Sequence, residues 1–450
     1  MNNAYEEKLG TQKMLPLIFK MALPAVAAQL VNLLYSIVDR IYIGHIENIG
    51  TDALAGIGVS SSIIILIAAF ASIVSGGGAP LAAIELGKGD REKAQKYLGN
   101  GFSLLILFSV FCMFFGYLFM EPILRFGGAS DSTLSHATEY LSVYLIGTVF
   151  VQCATGLNTF INIQGRPTIA MCSVAIGAVL NIALDPLFIF AFDMGVKGAA
   201  IATILSQFFS SLWVIWFLSS DKATLRLNKK YMKLDKKIVL SIFALGISPF
   251  VMASTESLVG FVFNGTLRGY GDIYVSALTV MQSAMQIVSV PLAGFAQGFV
   301  PIVSYNFGRG NKKRVKECFK IALITMFSFN FVLIILMVLM PEVVASIFTD
   351  DANLIAVVKD VMPIFLTGMS IFGLQRACQQ MFVALGQAKV SLFIALLRKV
   401  ILLVPLVLLL SKLFGVNGAF AAETIADAVA ATCCTAIFFY KFNKILDRKI

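Results

Sequence analysis

The chain has 450 residues, of which 58% are hydrophobic and 13% charged, where a soluble domain carries about 25% charged residues. With a mean hydropathy of +0.86, so few charges cannot coat a globule of this size, which excludes a soluble enzyme and a single-anchor protein. The net charge of +10 has no soluble domain on which to form a nucleic-acid-binding patch. The lipid bilayer, not nucleic acid, is therefore the expected partner. The alternating segments of a transmembrane barrel are absent, and an all-α integral membrane protein is predicted.

Apolar runs between loop signals predict twelve transmembrane helices, at 15–43, 52–84, 97–120, 134–162, 167–191, 195–219, 238–265, 274–304, 318–340, 354–384, 388–411 and 415–440. The longer runs exceed the roughly 20 residues a bilayer requires. They are expected to tilt or to kink at Pro24, Pro80, Pro249 and Pro291. The polar Met1–Lys13 segment, followed by an apolar run too long for a signal sequence, marks an uncleaved first span. With the N-terminus inside, 26 Lys and Arg residues, Arg448 and Lys449 among them, fall on inner segments and 6 on outer ones. That asymmetry predicts a multi-pass plasma-membrane protein with both termini cytoplasmic. Seven cysteines without a CxxC pattern support neither a zinc knuckle nor a disulfide framework.

The chain also repeats itself. The segment "GVKGAAIAT" at Gly195–Thr203 returns as "GVNGAFAAE" at Gly415–Glu423, and "PLAAIELGKGDREKA" from Pro80 returns as "PIVSYNFGRGNKKRV" from Pro301. Gly147 and Gly165 match Gly368 and Gly386. The offset of 220 or 221 divides the chain into an N-terminal six-helix lobe, 1–218, a basic linker, 219–237, and a C-terminal six-helix lobe, 238–450. Six is even, so the two repeats run parallel, with a site expected between the halves.

Ionisable residues inside a bilayer cost a few kcal/mol and mark functional positions. Asp39 lies about 6 Å below the outer end of its span and Tyr35 about 12 Å. Asp185 and Asn181, also one turn apart, lie about 9 and 15 Å down theirs, with Thr203 at about 12 Å and Tyr140 at about 9 Å. Oxygen ligands from four helices thus fall at one depth in the first lobe. They suit Na⁺, a hard cation, or a proton held by a carboxylate. The plainer alternatives are that Asp39, beside Arg40, ends its helix at the interface, and that Asn181 is interhelical glue. In the second lobe, Glu423 and Asp427 sit one turn apart, while Arg398 and Lys399 lie midway along the eleventh span. With Glu256 and Arg376 they are the second-lobe candidates, which either pair with one another or meet substrate, for instance through an acid left over. A central acid among Phe and Met side chains would favour lipophilic cations. His45 and His136 are read as interfacial, and Asp350-Asp351 as a solvated outer loop. The G-K-G and G-R-G segments lack the continuation of a phosphate-binding loop.

The duplicated bundle, "ALPAVAAQLVNLLYSIVDRIYIG", "LNIALDPLFIF" and the paired G-[KR]-G segments resemble the multidrug and toxic compound extrusion (MATE) family, in its bacterial DinF/MepA-like branch. The resemblance covers essentially the whole chain. It implies a V-shaped pair of lobes and export of drugs in exchange for Na⁺ or H⁺. It also implies a cation cluster of Asp39, Asn181, Asp185 and Thr203, which would be the Na⁺ site, and a bending proline at Pro24. Glu256 matches an acid that part of the family uses for cation binding. The aspartate which that branch carries in its tenth helix is replaced here by Gln375 or Arg376, which puts a second-lobe cation site in doubt. The expected function is a secondary antiporter, not an enzyme, acting as a monomer on a small organic and cationic substrate without a cofactor. A flippase for lipid-linked oligosaccharide is the alternative. It would call for more helices or a cationic cavity. An intramembrane prenyl- or glycosyltransferase would need aspartate-rich metal motifs, and none is found.

Overall fold

The computed structural model describes residues 8–46, 50–127 and 129–447. Arg448, Lys449 and the segment 1–7 lie outside them, and the described residues contain no strand. The first repeat consists of α1 (Met14–Gly44), α2 (Gly50–Ile73, a π-type turn Val74–Gly78, then Ala79–Lys88) and α3 (Arg91–Leu118). It continues with α4 (Asp131–Ile146 and Thr148–Asn162), α5 (Pro167–Pro186, prolonged by a π-type stretch Leu187–Ala191) and α6 (Gly195–Ser219). The second opens with α7 (Lys236–Arg268), α8 (Asp272–Gly308), α9 (Lys312–Leu339) and α10 (Ala352–Ala384).

The last helical path, Ala388–Leu446, is 59 residues long. As one straight helix it would measure about 88 Å, nearly three bilayer cores. It reverses at Gly415, whose φ of 63° and ψ of −145° are not helical. Arg398 consequently reaches Asp427, 29 residues further on, with Nε to Oδ1 at 2.5 Å. The path is two spans, α11 (388–414) and α12 (416–446). With α4 counted once across its bend, the described residues hold the twelve expected spans.

The boundaries differ from the sequence expectation at the ends facing the linker. Helices α3 and α9 begin six residues earlier than predicted because Asp90 and Asn311 cap them, accepting from Lys93 N at 2.9 Å and Arg314 N at 3.3 Å. Hydropathy trims such polar first turns, whereas a cap holds them helical. All four prolines expected to bend their runs fall within helical segments. Pro24, Pro249 and Pro291 lie inside continuous helices, and Pro80 starts a helical segment directly after the π-type turn of α2. A bend of 59° also falls at Gly147 in α4, without a proline. Its repeat partner Gly368 lies in a 3₁₀ stretch of α10, Thr367–Ile371.

Carbonyls freed at such breaks must find partners in a bilayer. In α10, Asn330 Nδ2 donates to Met369 O at 2.8 Å and Ser370 O at 2.7 Å, and Thr424 Oγ1 to Ile364 O at 2.6 Å.

The repeat is visible in the backbone. Gly89 and Gly310 (φ 87° and 74°), Gly165 and Gly386 (75° and 67°), and Gly195 and Gly415 (51° and 63°) share the left-handed conformation, which glycine alone adopts without strain. The repeats meet through α1 against α8 and α2 against α7. Contact is so close at Gly298 beside Ala22, and at Gly246 beside Ile73, that a Cβ would strike the opposing backbone. These approaches lie in the middle and in the linker-side half of the bundle. At the linker end, Asn306 Nδ2 and Arg314 Nη2 of the second repeat donate to Leu9 O of the first at 2.8 and 3.2 Å. Large apolar side chains such as Phe114, Leu118, Trp216 and Leu339 stay exposed on the outer surface, as a lipid-facing surface requires.

Candidate cation and substrate sites

The first site forms where α5 loosens into its π-type stretch. Asp185 precedes Pro186, which supplies no N–H to the helix, and Asn181 sits one turn earlier on the same face. Asn181 Nδ2 donates to Asp185 Oδ1 at 3.1 Å and to Thr203 Oγ1 of α6 at 3.4 Å. Asp185 and Asn181 are buried, at 0% and 2% exposure. Thr203 shares a cavity with Tyr140 of α4, whose ring stacks on Tyr144 with centroids 6.2 Å apart. From α1, Tyr35 and Asp39 line the same 450 Å³ cavity as Tyr140, Tyr144 and Thr203. The charge of Asp39 is felt at both Asp185 and Tyr140.

Four of the six residues expected here, Tyr35, Asp39, Tyr140 and Thr203, line that cavity, and Asn181 and Asp185 join it through the Thr203 hydroxyl. Helix α1 runs five residues beyond Asp39, so that aspartate does not end the helix. Asn181 does bridge two helices, and it does so inside the cluster. Asp39 Oδ1, Asn181 Oδ1 and Asp185 Oδ2 are buried without a hydrogen-bond partner. An unsatisfied buried acceptor costs about 1–3 kcal/mol, and a charged one more. Two carboxylates, an amide oxygen and neighbouring hydroxyls are the donor set that a proton or a hard cation would satisfy.

The second-repeat charges form two ion-paired groups. On α11, consecutive Arg398 and Lys399 lie in a π-type stretch, Leu397–Leu403, and reach different helices, α12 and α7. Arg398 Nε reaches Asp427 Oδ1 at 2.5 Å, Arg398 Nη2 reaches Glu423 Oε1 at 3.3 Å, and the guanidinium lies 4.6 Å from the Phe372 ring centroid. Lys399 Nζ donates to Glu256 Oε2 of α7 at 2.7 Å. Each of the three acids has a basic partner, Glu423 and Asp427 sharing Arg398. Among the described residues of this group Arg376 of α10 has no ion pair, and its Nε is buried with no hydrogen-bond partner.

All of these charged residues except Asp427 line an 870 Å³ cavity between the repeats, together with Gln29 and Ser61 from the first and Met252, Phe263, Met285, Phe365, Met369 and Phe372 from the second. Counted back from Pro186 and Pro405, the positions of Asp185 and Asn181 are occupied in α11 by Val404 and Val400. The second repeat thus lacks the oxygen pair of the first.

The sequence reading missed several lining residues: Tyr144, Asn32, Ser36 and Gln207 in the first cavity, and Gln282, Gln286 and Gln379 in the central one. Their signal was present as polar residues recurring every three or four positions inside apolar runs. Gln379 also ties helices together, donating to Ser391 O at 2.9 Å and to Ser248 Oγ at 3.4 Å.

Comparison with known proteins agrees with this architecture. The multidrug export protein MepA of Staphylococcus saprophyticus is 26% identical over 422 residues, covering 93% of this chain and 92% of its own. A crystal structure of MATE in the bent conformation superposes with a TM-score of 0.91 at 21% identity, covering 98% of each chain. An outward-facing multidrug resistance MATE family transporter superposes at 0.87, again at 21% identity and with 96% of each chain covered. The MatE family model matches residues 24–187 and 250–409, one stretch in each repeat and well over half the sequence, and the chain belongs to that family.

Proposed function

We propose that this protein is a secondary antiporter that exports small organic compounds across the plasma membrane in exchange for Na⁺ or H⁺. The observation that carries the reading is the trio of unpartnered oxygens on Asp39, Asn181 and Asp185, set in one repeat beside a large cavity between the two. The likeness to multidrug export proteins over nearly the whole chain supports export as the direction.

In this reading the linker end and both termini face the cytoplasm, and the chain works as a monomer. The lobes 1–218 and 238–450 rock about the α1–α8 and α2–α7 contacts, with the linker 219–237 joining them. A cation taken up between Asp39 and Asp185 removes the repulsion between two carboxylates in a poorly solvated space. A cation that binds one arrangement of the lobes more tightly than the other shifts their equilibrium by that difference. Pro24 lies fifteen residues before Asp39 on α1, so bending there moves the carboxylate relative to α5. Arg398, Glu423 and Asp427 hold α11 to α12, and Lys399 with Glu256 holds α11 to α7.

Proteoliposomes loaded with rhodamine 123 or its free acid rhodamine 110, and given a Na⁺ or a pH gradient in turn, test the reading. At least one gradient is expected to drive dye movement beyond that of empty vesicles. Movement of neither dye under either gradient would refute it.

A further inference from the structure

We propose that Arg376 is a substrate-binding residue, and that the central cavity takes aromatic compounds bearing an anionic group (carboxylate, sulfonate or phosphate ester) which docks on its guanidinium. The inference rests on the export reading above and names the substrate class of that cavity.

The argument begins with pairing. Three bases and two acids line the cavity, Arg376, Arg398 and Lys399 against Glu256 and Glu423, with Asp427 just behind the wall. Arg398 takes both acids of α12, and Lys399 takes Glu256 at 2.7 Å. The charges felt at Arg376 are those of Arg398, which repels, and of Glu256, which is already engaged. Its Nε is buried without a partner, in a segment that no solvated loop relieves. A guanidinium so placed is costly unless an anion meets it, and its planar fork matches a carboxylate or phosphate in bidentate geometry.

The remaining wall fits the rest of such a molecule. Phe263, Phe365, Phe372 and Met369 supply apolar and aromatic surface. The cluster of Arg398 with two carboxylates carries a formal surplus of one negative charge, so a cationic substituent elsewhere on the same compound is accommodated. An acid with a basic group on an aromatic frame meets both ends of the cavity.

Rhodamine 110 and rhodamine 123 differ only in a free carboxylate against its methyl ester, which isolates this contact. Fluorescence polarisation would measure binding of each to the full chain in nanodiscs, with empty nanodiscs as the blank. Arg376→Gln is expected to weaken rhodamine 110 binding at least about tenfold while changing rhodamine 123 less than about threefold. Arg376→Lys keeps the charge and is expected to retain rhodamine 110 within about threefold of wild type. Unchanged rhodamine 123 binding shows that the Gln variant is folded. If rhodamine 123 binds the wild type and rhodamine 110 is indifferent to Arg376→Gln, the inference is overturned while the export reading stands. If neither dye binds above the blank, both fall together.

Discussion

Gly87 of α2 and Gly308 of α8 cross at the linker end as a symmetric pair. A Cβ on Gly87 would overlap the carbonyl of Tyr305, and one on Gly308 the carbonyl of Ile84. Ile84 and Tyr305 are themselves related by the same 221-residue offset as the glycines, so each repeat presents one bare backbone to the other.

That contact closes the linker side in this conformation. Gly308→Ala forces the helices apart at a cost of about 1–3 kcal/mol, which corresponds to a roughly 5- to 150-fold shift of the lobe equilibrium. Spin labels at Arg91 and Lys313, both exposed and on opposite repeats, should report a longer distance in the variant by pulsed electron resonance. An unchanged distance distribution would mean that the glycines are not a closure point.

The Arg398–Glu423–Asp427 group is expected to be structural. Arg398→Met leaves two buried carboxylates without their cation and should lower stability by about 3–5 kcal/mol, seen as a depressed melting temperature in nanodiscs. Replacing all three together (Arg398→Met, Glu423→Gln, Asp427→Leu) should recover most of the loss, because no uncompensated charge remains. If the single and triple variants melt alike, burial of charge is not what the cluster manages.

The first-repeat cluster was legible in the sequence because Asp39 and Asp185 interrupt apolar runs and have polar residues one turn away. The twelve spans and their duplication were legible for the same reason: hydropathy and repeated glycines are local signals. The 59° bend at Gly147 and the three π-type stretches were not, since an extra residue in a turn changes no composition. Nor was the isolation of Arg376 visible. It follows from Arg398 reaching both acids of α12 and Lys399 reaching Glu256 of α7, a pairing between helices that spacing in the chain does not show.

Pro24 bears on turnover. Its ring removes one hydrogen bond from α1 and lets the helix bend at low cost. Asp39 lies about 22 Å along the axis from it, where a modest bend becomes a displacement of several ångströms. Pro24→Ala should keep dye affinity and slow gradient-driven efflux. A wild-type rate with unchanged cation dependence would leave rigid rocking of the lobes as the sole coupling motion.

The central claim is that the coupling cation binds in the first repeat and not the second. Its most direct test compares gradient-driven dye efflux from vesicles holding Asp39→Asn, Asp185→Asn or Glu256→Gln, at matched protein insertion. Either first-repeat change should abolish coupled efflux, because each removes a carboxylate bearing an unpartnered buried oxygen. Glu256→Gln, which loses only its pairing with Lys399, should lower efflux by less than Asp185→Asn does. Wild-type efflux from both aspartate variants, or a greater loss from Glu256→Gln than from Asp185→Asn, would contradict the account.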